Sequence, residues 1–587
     1  MKKYVFFILL TFLASQTIHS QQIYESRIRG KVTTVTDNTI KIGTQIIPIA
    51  KDGSFTCTIE KEWPVLLSAS YAGMHWTVFM KSGSNTDIFI PENKIEAIEY
   101  RGDYNETNSY LIDILTINQQ LNQYLNKNWQ SLHKLEQKKY VAKIDSLKNI
   151  YLEHLTSDSE KYKSLSNEFI DIWKKELDFG FNELILKYPE RHLQFTKLNI
   201  ELTKESIEYA LSIDIDKQEY LDIPNYKVFA KACIEMESNK LLTQANTSRN
   251  YNLKKIKAAF IIIEKLFSNQ YLKDFWLAEY LKGHIDNNGL TNSEKQLKQF
   301  YSICKTDIFK NEIDALTEKI TAKRIDHEIY VYKTADDFAL EAHFFRPENT
   351  DNSDSKPAIA IFHGGGWVIG NASWAFGRAK HFAKHGMVAI AVQYRLSNYH
   401  DITPVEAMED TRDLMIWLRE NSGSLGINPD KIAGEGWSAG GHLITSAAFF
   451  PDSVLNKNIN SVPNAIILKS PALEADSWCI QLLGARNIDP NTISPLDNIK
   501  KGMFLPPILI FQGRKDHVTP VDNALLFNER MKAANYQCEL VIYEDCGHLF
   551  TPSYLDDTGW PRPDKEISKN ANKKADEFLS KLGYIEK

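Results

Sequence analysis

A serine lies between glycines in Gly436-Trp437-Ser438-Ala439-Gly440, after the apolar run Lys431-Ile432-Ala433 and before a stretch of small and apolar residues that ends near Phe449. A serine hydroxyl is a weak nucleophile until a base takes its proton. A sharp strand-to-helix turn exposes such a hydroxyl, and glycines are needed beside it because side chains there would clash. The base should be a histidine on a later loop, and Tyr543-Glu544-Asp545-Cys546-Gly547-His548-Leu549-Phe550 supplies His548. A carboxylate must orient that histidine. Asp516, in Gly513-Arg514-Lys515-Asp516-His517, is the candidate, with Asp522 and Asp545 as rivals for the role. His517 adjoins the proposed acid, and His442 reads as structural.

Attack on an acyl carbonyl creates an oxyanion, which needs N–H donors already in place. His363-Gly364-Gly365-Gly366-Trp367 offers the amides of Gly365 and Gly366, and Ala439 offers a third. His363 reads as a hydrogen-bonding support of this loop. Trp367 and Trp437 adjoin the oxyanion loop and the nucleophile, so both are candidate substrate contacts, with Trp560 a weaker one. Large aromatics serve equally well as core. The chemistry expected is acyl transfer through a serine ester, requiring no metal or cofactor.

These groups need a scaffold that delivers them to one edge. From about residue 326, apolar runs alternate with helical segments: "AIAIFH", "MVAIAVQY", "KIAGEGW", "NAIILKS", "PPILIFQG" and "CELVIYED" are strands, and 374–385, 404–421, 440–449, 521–534 and 564–582 are helices. This alternation predicts an α/β fold with a mostly parallel, doubly wound sheet. Ser438, Asp516 and His548 each fall at the C-terminal end of a strand, where such sheets place their chemistry. A hairpin around Ala335-Asp336-Asp337 precedes them.

Taken together, "HGGGW", "YRL" at 394–396, "GWSAGGHL", "GRKDHVTP" and "CGHLF" resemble the α/β-hydrolase esterases of the hormone-sensitive-lipase-like type. The likeness is greatest to the bacterial branch with carbohydrate acetyl esterases and feruloyl-esterase-like proteins, and it covers residues 326–587. The resemblance implies Ser438 as nucleophile, His548 as base, Asp516 as acid, and Gly365, Gly366 and Ala439 as oxyanion donors. It also implies a short acyl group on a sugar or a small alcohol. Two features depart from the pattern. Glu435 stands where an apolar or small residue is expected, and "CGHLF" replaces a more glycine-rich form. One alternative is a prolyl-oligopeptidase-type serine peptidase, whose front half is usually a propeller of short strands. Another is a non-catalytic binding or scaffold protein that keeps the hydrolase fold.

The front of the chain differs in character. Residues 22–104 carry strand-like runs such as "RIRGKVTTV" and "HWTVFMKSG" separated by turns, which predicts a small all-β sandwich or barrel. Residues 105–325 show apolar positions at helical spacing and predict an all-α domain of six to eight helices. "DGSF" and "YRGDYNETNSYL" resemble the β-domain of exported Bacteroidetes proteins, which there precedes a helical region and a thioredoxin-like domain. No C-x-x-C pair is present, so no redox role carries over. The front half reads as a spacer or a unit for self-association.

The domains expected are therefore 1–21, 22–104, 105–325 and 326–587. The first is a leader: Lys2 and Lys3, the apolar run from Tyr4 to Ala14 and small or polar residues near Ser20 form a secretory signal peptide, cut near Ser20 or Gln21. The run is too short to span a bilayer, and no stable membrane span is expected after its removal. The mature protein is expected to be periplasmic or secreted. A net charge of -6, with no basic stripe, gives nucleic-acid binding no electrostatic support. The six cysteines fit no zinc spacing and are expected mostly as buried free thiols.

Overall fold

The computed structural model describes residues 25–587 apart from 92–93, 158–164, 197, 245–250, 336–337, 349–354, 398–401, 451–459, 475–482, 484–487, 556, 558 and 586–587. The leader reading and Cys479 fall outside the described residues. The chain packs as two units, Met1–Cys233 and Ile234–Lys587.

The first unit opens with eight strands: β1 (Glu25–Val32), β2 (Thr39–Ile42), β3 (Gln45–Pro48), β4 (Ser54–Glu60), β5 (Val65–Tyr71), β6 (Met74–Met80), β7 (Asn85–Ile90) and β8 (Glu99–Gly102). They form two four-stranded sheets, β4-β1-β7-β8 and β3-β2-β5-β6. Side chains from both, among them Ile28, Phe55, Ile88, Ile40, Leu67 and Val78, share one core, so the small β-region is a sandwich.

Among the described residues ten α-helices follow: α1 (Asn105–His133), α2 (Gln137–Ser157), α3 (Asn167–Leu186), α4 (Tyr188–Thr196), α5 (Lys204–Ala210), α6 (Tyr226–Gln244), α7 (Tyr251–Leu266), α8 (Gln270–Asn288), α9 (Glu294–Ile303) and α10 (Asp307–Lys323). Six to eight were expected. The seven-residue α5 is too short to show an apolar period of its own. The helices from α7 onward belong to the second unit.

The second unit is built on an eight-stranded sheet. Its strands are β9 (Glu328–Ala335), β10 (Phe338–Phe345), β11 (Lys356–Phe362), β12 (Val388–Val392), β13 (Ile427–Trp437), β14 (Ala465–Lys469), β15 (Ile508–Gly513) and β16 (Cys538–Tyr543). The order is β16-β15-β14-β13-β11-β12-β10-β9. β11 to β16 run parallel, and the β9–β10 hairpin joins antiparallel. The fold class is therefore the mostly parallel α/β sheet that the alternating pattern predicts.

Strands such as Val388–Val392 are buried on both faces, which is why they read as unbroken apolar runs. Alternate residues point to two cores. One face packs against α11 (Phe376–Lys384) and α16 (Lys565–Lys581), through Phe382, Ala575 and Phe578. The other packs against α12 (Pro404–Glu420), α14 (Ala439–Phe449) and α15 (Val521–Ala533), through Leu414, Leu443 and Phe527. A short helix, α13 (Ser422–Leu425), leads into β13. Polar contacts hold the preceding helices on this sheet. Asn292 exchanges two hydrogen bonds with the backbone of Ala339 on β10 (2.9 and 3.0 Å), and Arg324 donates to both oxygens of Glu341 at 3.0 Å.

Five cysteines, Cys57, Cys233, Cys304, Cys538 and Cys546, are buried free thiols. Among the described residues no helix is long and apolar enough to cross a membrane.

Candidate active site

Ser438 sits between β13 and α14 with φ 53° and ψ -123°. A non-glycine residue at positive φ is strained and must be held by its surroundings. Here Ser438 N–H donates to the carbonyl of Lys469 (3.1 Å), and its own carbonyl accepts from His442 and Ala472 (3.2 Å each). The flanking glycines let the turn close. A Cβ on Gly436 would lie 2.3 Å from the Gly440 carbonyl oxygen, and one on Gly440 would lie 2.2 Å from that of Phe362.

His548 follows β16 and turns its Nε2 toward Ser438 Oγ at 3.2 Å. Its Nδ1 faces Asp516, 3.0 Å from Oδ2 and 3.2 Å from Oδ1. The carboxylate on Nδ1 places the proton there, so Nε2 is the free acceptor facing the serine hydroxyl. Asp516 is itself fixed by four donors. Val518 N–H (3.0 Å) and Thr519 N–H (2.7 Å) reach Oδ1, and Gln512 Nε2 and Thr519 Oγ1 reach Oδ2 at 3.0 Å. The Asp516 side chain is fully buried and that of His548 nearly so. The structure thus brings together the three residues selected from spacing. Of the rival carboxylates, Asp545 is exposed and lies 3.6 Å from Lys515, and Asp522 sits exposed in the first turn of α15.

A second carboxylate supports the histidine from behind. Asp557 Oδ2 accepts from the backbone N–H of His548 (2.7 Å) and of His517 (3.1 Å), and Oδ1 contacts His517 Nδ1 at 2.8 Å. Burial pushes the Asp557 carboxyl up, but the two amides and His517 outweigh it and hold the group below the usual carboxylate range. His517 is thereby engaged away from the triad. Its place beside Asp516 gave no sign of this partner 40 residues on.

The loop after β11 carries the three glycines. Gly365 and Gly366 have φ of 117° and 61°, and the Gly365 carbonyl accepts from Val368 (3.0 Å) and Ile369 (3.1 Å). A Cβ on Gly365 would lie 1.9 Å from the Ile369 carbonyl oxygen. No hydrogen bond to the N–H of Gly365, Gly366 or Ala439 is made among the described residues, and all three residues line the cleft with Ser438 and His548. His363 is wholly buried in the loop's support. Its Nδ1 contacts the Gly364 carbonyl at 2.7 Å, its ring stacks on Tyr394 at 4.4 Å, and burial pulls its pKa down to about 4. His442 is likewise buried, with Nε2 at 2.8 Å from the Ile493 carbonyl and a pKa pulled to about 4. Neither is poised to carry a proton to Ser438.

The cleft holds about 500 Å³. Its aromatic walls include Trp437, half-buried, and Trp560, 68% exposed. Trp374 also lines it, a residue that lies in no recognisable motif. Trp367 borders the cleft too but is only 2% exposed; its ring belongs to the core and packs edge-on against His442 at 5.1 Å.

Glu435, the residue out of pattern, is completely buried and ion-paired. Arg378 Nε lies 3.0 Å from both carboxylate oxygens and Lys469 Nζ lies 2.9 Å from one. Burial pushes the carboxyl up, and the two cations outweigh it and hold it below its usual range. Glu435 thus ties the end of β13 to α11 and β14.

The chain is similar to known proteins of the α/β-hydrolase fold. A family model described as the alpha/beta hydrolase fold matches residues 359–552. An AB hydrolase superfamily protein of Schizosaccharomyces pombe is 30% identical over 237 residues, covering 36% of this chain and 67% of that one. An acetylxylan esterase of Xylanibacter ruminicola is 27% identical over 232 residues, with 38% and 46% covered. The carboxylesterase NlhH of Mycobacterium tuberculosis is 26% identical over 211 residues, with 32% and 64% covered. The chain thus spans roughly half to two thirds of the length of these relatives. Among solved structures, esterase 2 of Thermogutta terrifontis is 31% identical, covers 45% of this chain and 97% of its own, and has a TM-score of 0.41.

Proposed function

The chain belongs to the α/β-hydrolase fold family, and from that premise we propose that it is a serine esterase acting on short-chain carboxylic esters, acetylated carbohydrates among them. The observation that carries this reading is the aligned row Ser438 Oγ, His548 Nε2, His548 Nδ1 and Asp516, open to a cleft edged by glycine amides.

The cycle follows from the geometry. His548 Nε2 takes the hydroxyl proton as Ser438 Oγ bonds to the ester carbonyl carbon. The carbonyl oxygen becomes an oxyanion held by the amides of Gly365, Gly366 and Ala439. Asp516 stabilises the imidazolium through Nδ1 without taking its proton. Collapse breaks the bond to the alkoxide oxygen, which receives the proton from Nε2 and leaves as the alcohol. Water then gives a proton to Nε2 and attacks the acyl-serine, and the acid departs as Oγ recovers its proton. The acetylxylan esterase among the relatives supports an acetylated sugar as the favoured substrate. Hydrolysis of p-nitrophenyl acetate, and of acetylated oligosaccharides, by the wild type beside Ser438→Ala tests the reading. Equal rates in the two proteins would refute it.

The N-terminal pattern of Lys2-Lys3 and the run Tyr4 to Ala14 supports export by signal peptide. N-terminal sequencing of protein recovered from the periplasm or medium should begin near Gln21. A chain found only in the cytoplasm with Met1 retained would contradict export.

A further inference from the structure

Behind one wall of the cleft lies a second cavity of about 560 Å³ that the triad does not use. The two share Ile369, Trp374 and Trp560 as lining. Trp374 and Trp560 are 41% and 68% exposed and meet edge to face at 5.3 Å. Large aromatic rings left this open at a cavity mouth mark a binding surface. The far wall comes from the helices in front of the hydrolase sheet, at the end of α8 (Asp286, Asn287) and along α10 (Lys319, Lys323).

This wall is joined to the catalytic loop. Asn287 Oδ1 accepts from Gly370 N–H at 3.2 Å, and Asn371 donates to the Asp286 carbonyl, both a few residues past the glycines that edge the oxyanion site. The charges in the cavity are unequal. Arg324 is neutralised by Glu341 at 3.0 Å. Lys319 and Lys323 are exposed and neither lies within ion-pair distance of a carboxylate among the described residues, although both act electrostatically on Asp286, the one further carboxylate on the lining. Two exposed ammonium groups against one carboxylate leave a net positive charge, which beside exposed tryptophan rings and the polar side chains of Asn371 and Ser373 makes a surface for a hydroxylated ring that carries a negative charge.

We propose that this cavity is a subsite for the alcohol side of the substrate, selecting O-acylated oligosaccharides with a carboxylate on a sugar near the esterified one. The inference rests on the esterase reading of Ser438. In it, the esterified sugar lies in the Ser438 cleft, the chain crosses the Trp374–Trp560 pair, and the uronate-type carboxylate meets Lys319 and Lys323. The helices of the second unit then contribute specificity, a role the hydrolase sheet alone would not supply.

The experiment compares one O-acetylated, uronate-bearing oligosaccharide with the same material after its carboxylates are reduced to primary alcohols. Acetate release is followed, and p-nitrophenyl acetate is run alongside. The wild type should prefer the acidic form by about tenfold in kcat/KM, the scale of two partly exposed ion pairs. The preference should shrink at about 0.5 M salt. In Lys319→Gln/Lys323→Gln, whose altered side chains are both exposed, the ratio of the two substrates should approach one. Because the readout is a ratio within one protein, a loss of folded material cannot imitate it. No preference in the wild type, or a preference that survives the double substitution, would overturn the proposal while leaving the esterase reading intact. Turnover of p-nitrophenyl acetate with neither oligosaccharide cleaved would do the same. No turnover of any of the three would overturn both.

Discussion

Replacing Glu435 with glutamine removes one charge from a buried triad and keeps the shape. In the native protein the Glu435 side chain is 0% exposed, with Arg378 and Lys469 at 9% and 14%. The substitution leaves two cations in a poorly solvated site with one further counter-charge, Asp576, 3.8 Å from Arg378. Breaking a buried pair on one side costs about 3–5 kcal/mol, mostly as uncompensated charge. At about 2.1 cal/mol/K per residue, the Ile234–Lys587 unit has an unfolding entropy of roughly 0.7 kcal/mol/K, so Tm should fall by about 4–7 °C. Calorimetry at pH 7 reads this directly. The folded pKa of Glu435 lies below its unfolded value near 4.5. Its stabilisation is therefore present above that value and is lost as pH falls through the folded one, so the gap between wild type and variant should close in acid. Arg378→Met/Glu435→Leu/Lys469→Met, which removes all three charges, should recover most of the loss. A Tm change under about 1 °C for Glu435→Gln, or a triple variant no better than the single one, would refute the reasoning.

Asp516→Asn should lower kcat for p-nitrophenyl acetate by about 10³–10⁴ with little change in KM, because His548 Nδ1 loses its acceptor and the tautomer that frees Nε2. Gly365→Ala, whose Cβ would meet the Ile369 carbonyl oxygen at 1.9 Å, should disrupt the oxyanion loop and lower kcat by about 10²-fold or more while circular dichroism stays native. Asp557→Ala should cost about 1–3 kcal/mol at pH 7, since it strands the His548 amide. Its folded pKa lies below the ordinary one, so this contribution is present above about pH 4 and fades in stronger acid; urea melts at pH 7 and pH 3.5 read both values.

The strands and the triad were legible for one reason: each is written locally. β11 to β16 are apolar runs bounded by turn residues, and Ser438, Asp516 and His548 stand at strand ends in a fixed chain order. What supports them is not local. Glu435 looks like an intruder in its strand until Arg378, 57 residues earlier, and Lys469, 34 residues later, come to it. Asp557 reaches His548 and His517 from a stretch without a motif. The two tryptophans chosen beside the motifs diverge, since Trp437 is half-buried at the cleft and Trp367 is core, a choice made by packing that neighbouring sequence does not encode. The second cavity was invisible for the same reason. Lys319 and Lys323 stand on α10, and nothing in its helical spacing sets them apart from its other charged positions.

The proposed esterase chemistry depends on Ser438 being a nucleophile activated by His548. The most direct measurement is the mapping of a fluorophosphonate adduct by mass spectrometry. One phosphonyl group per chain is expected, on the peptide that contains Ser438, with no adduct in Ser438→Ala and much slower labelling in His548→Ala. An adduct on another residue, or none on the folded wild type, would contradict it.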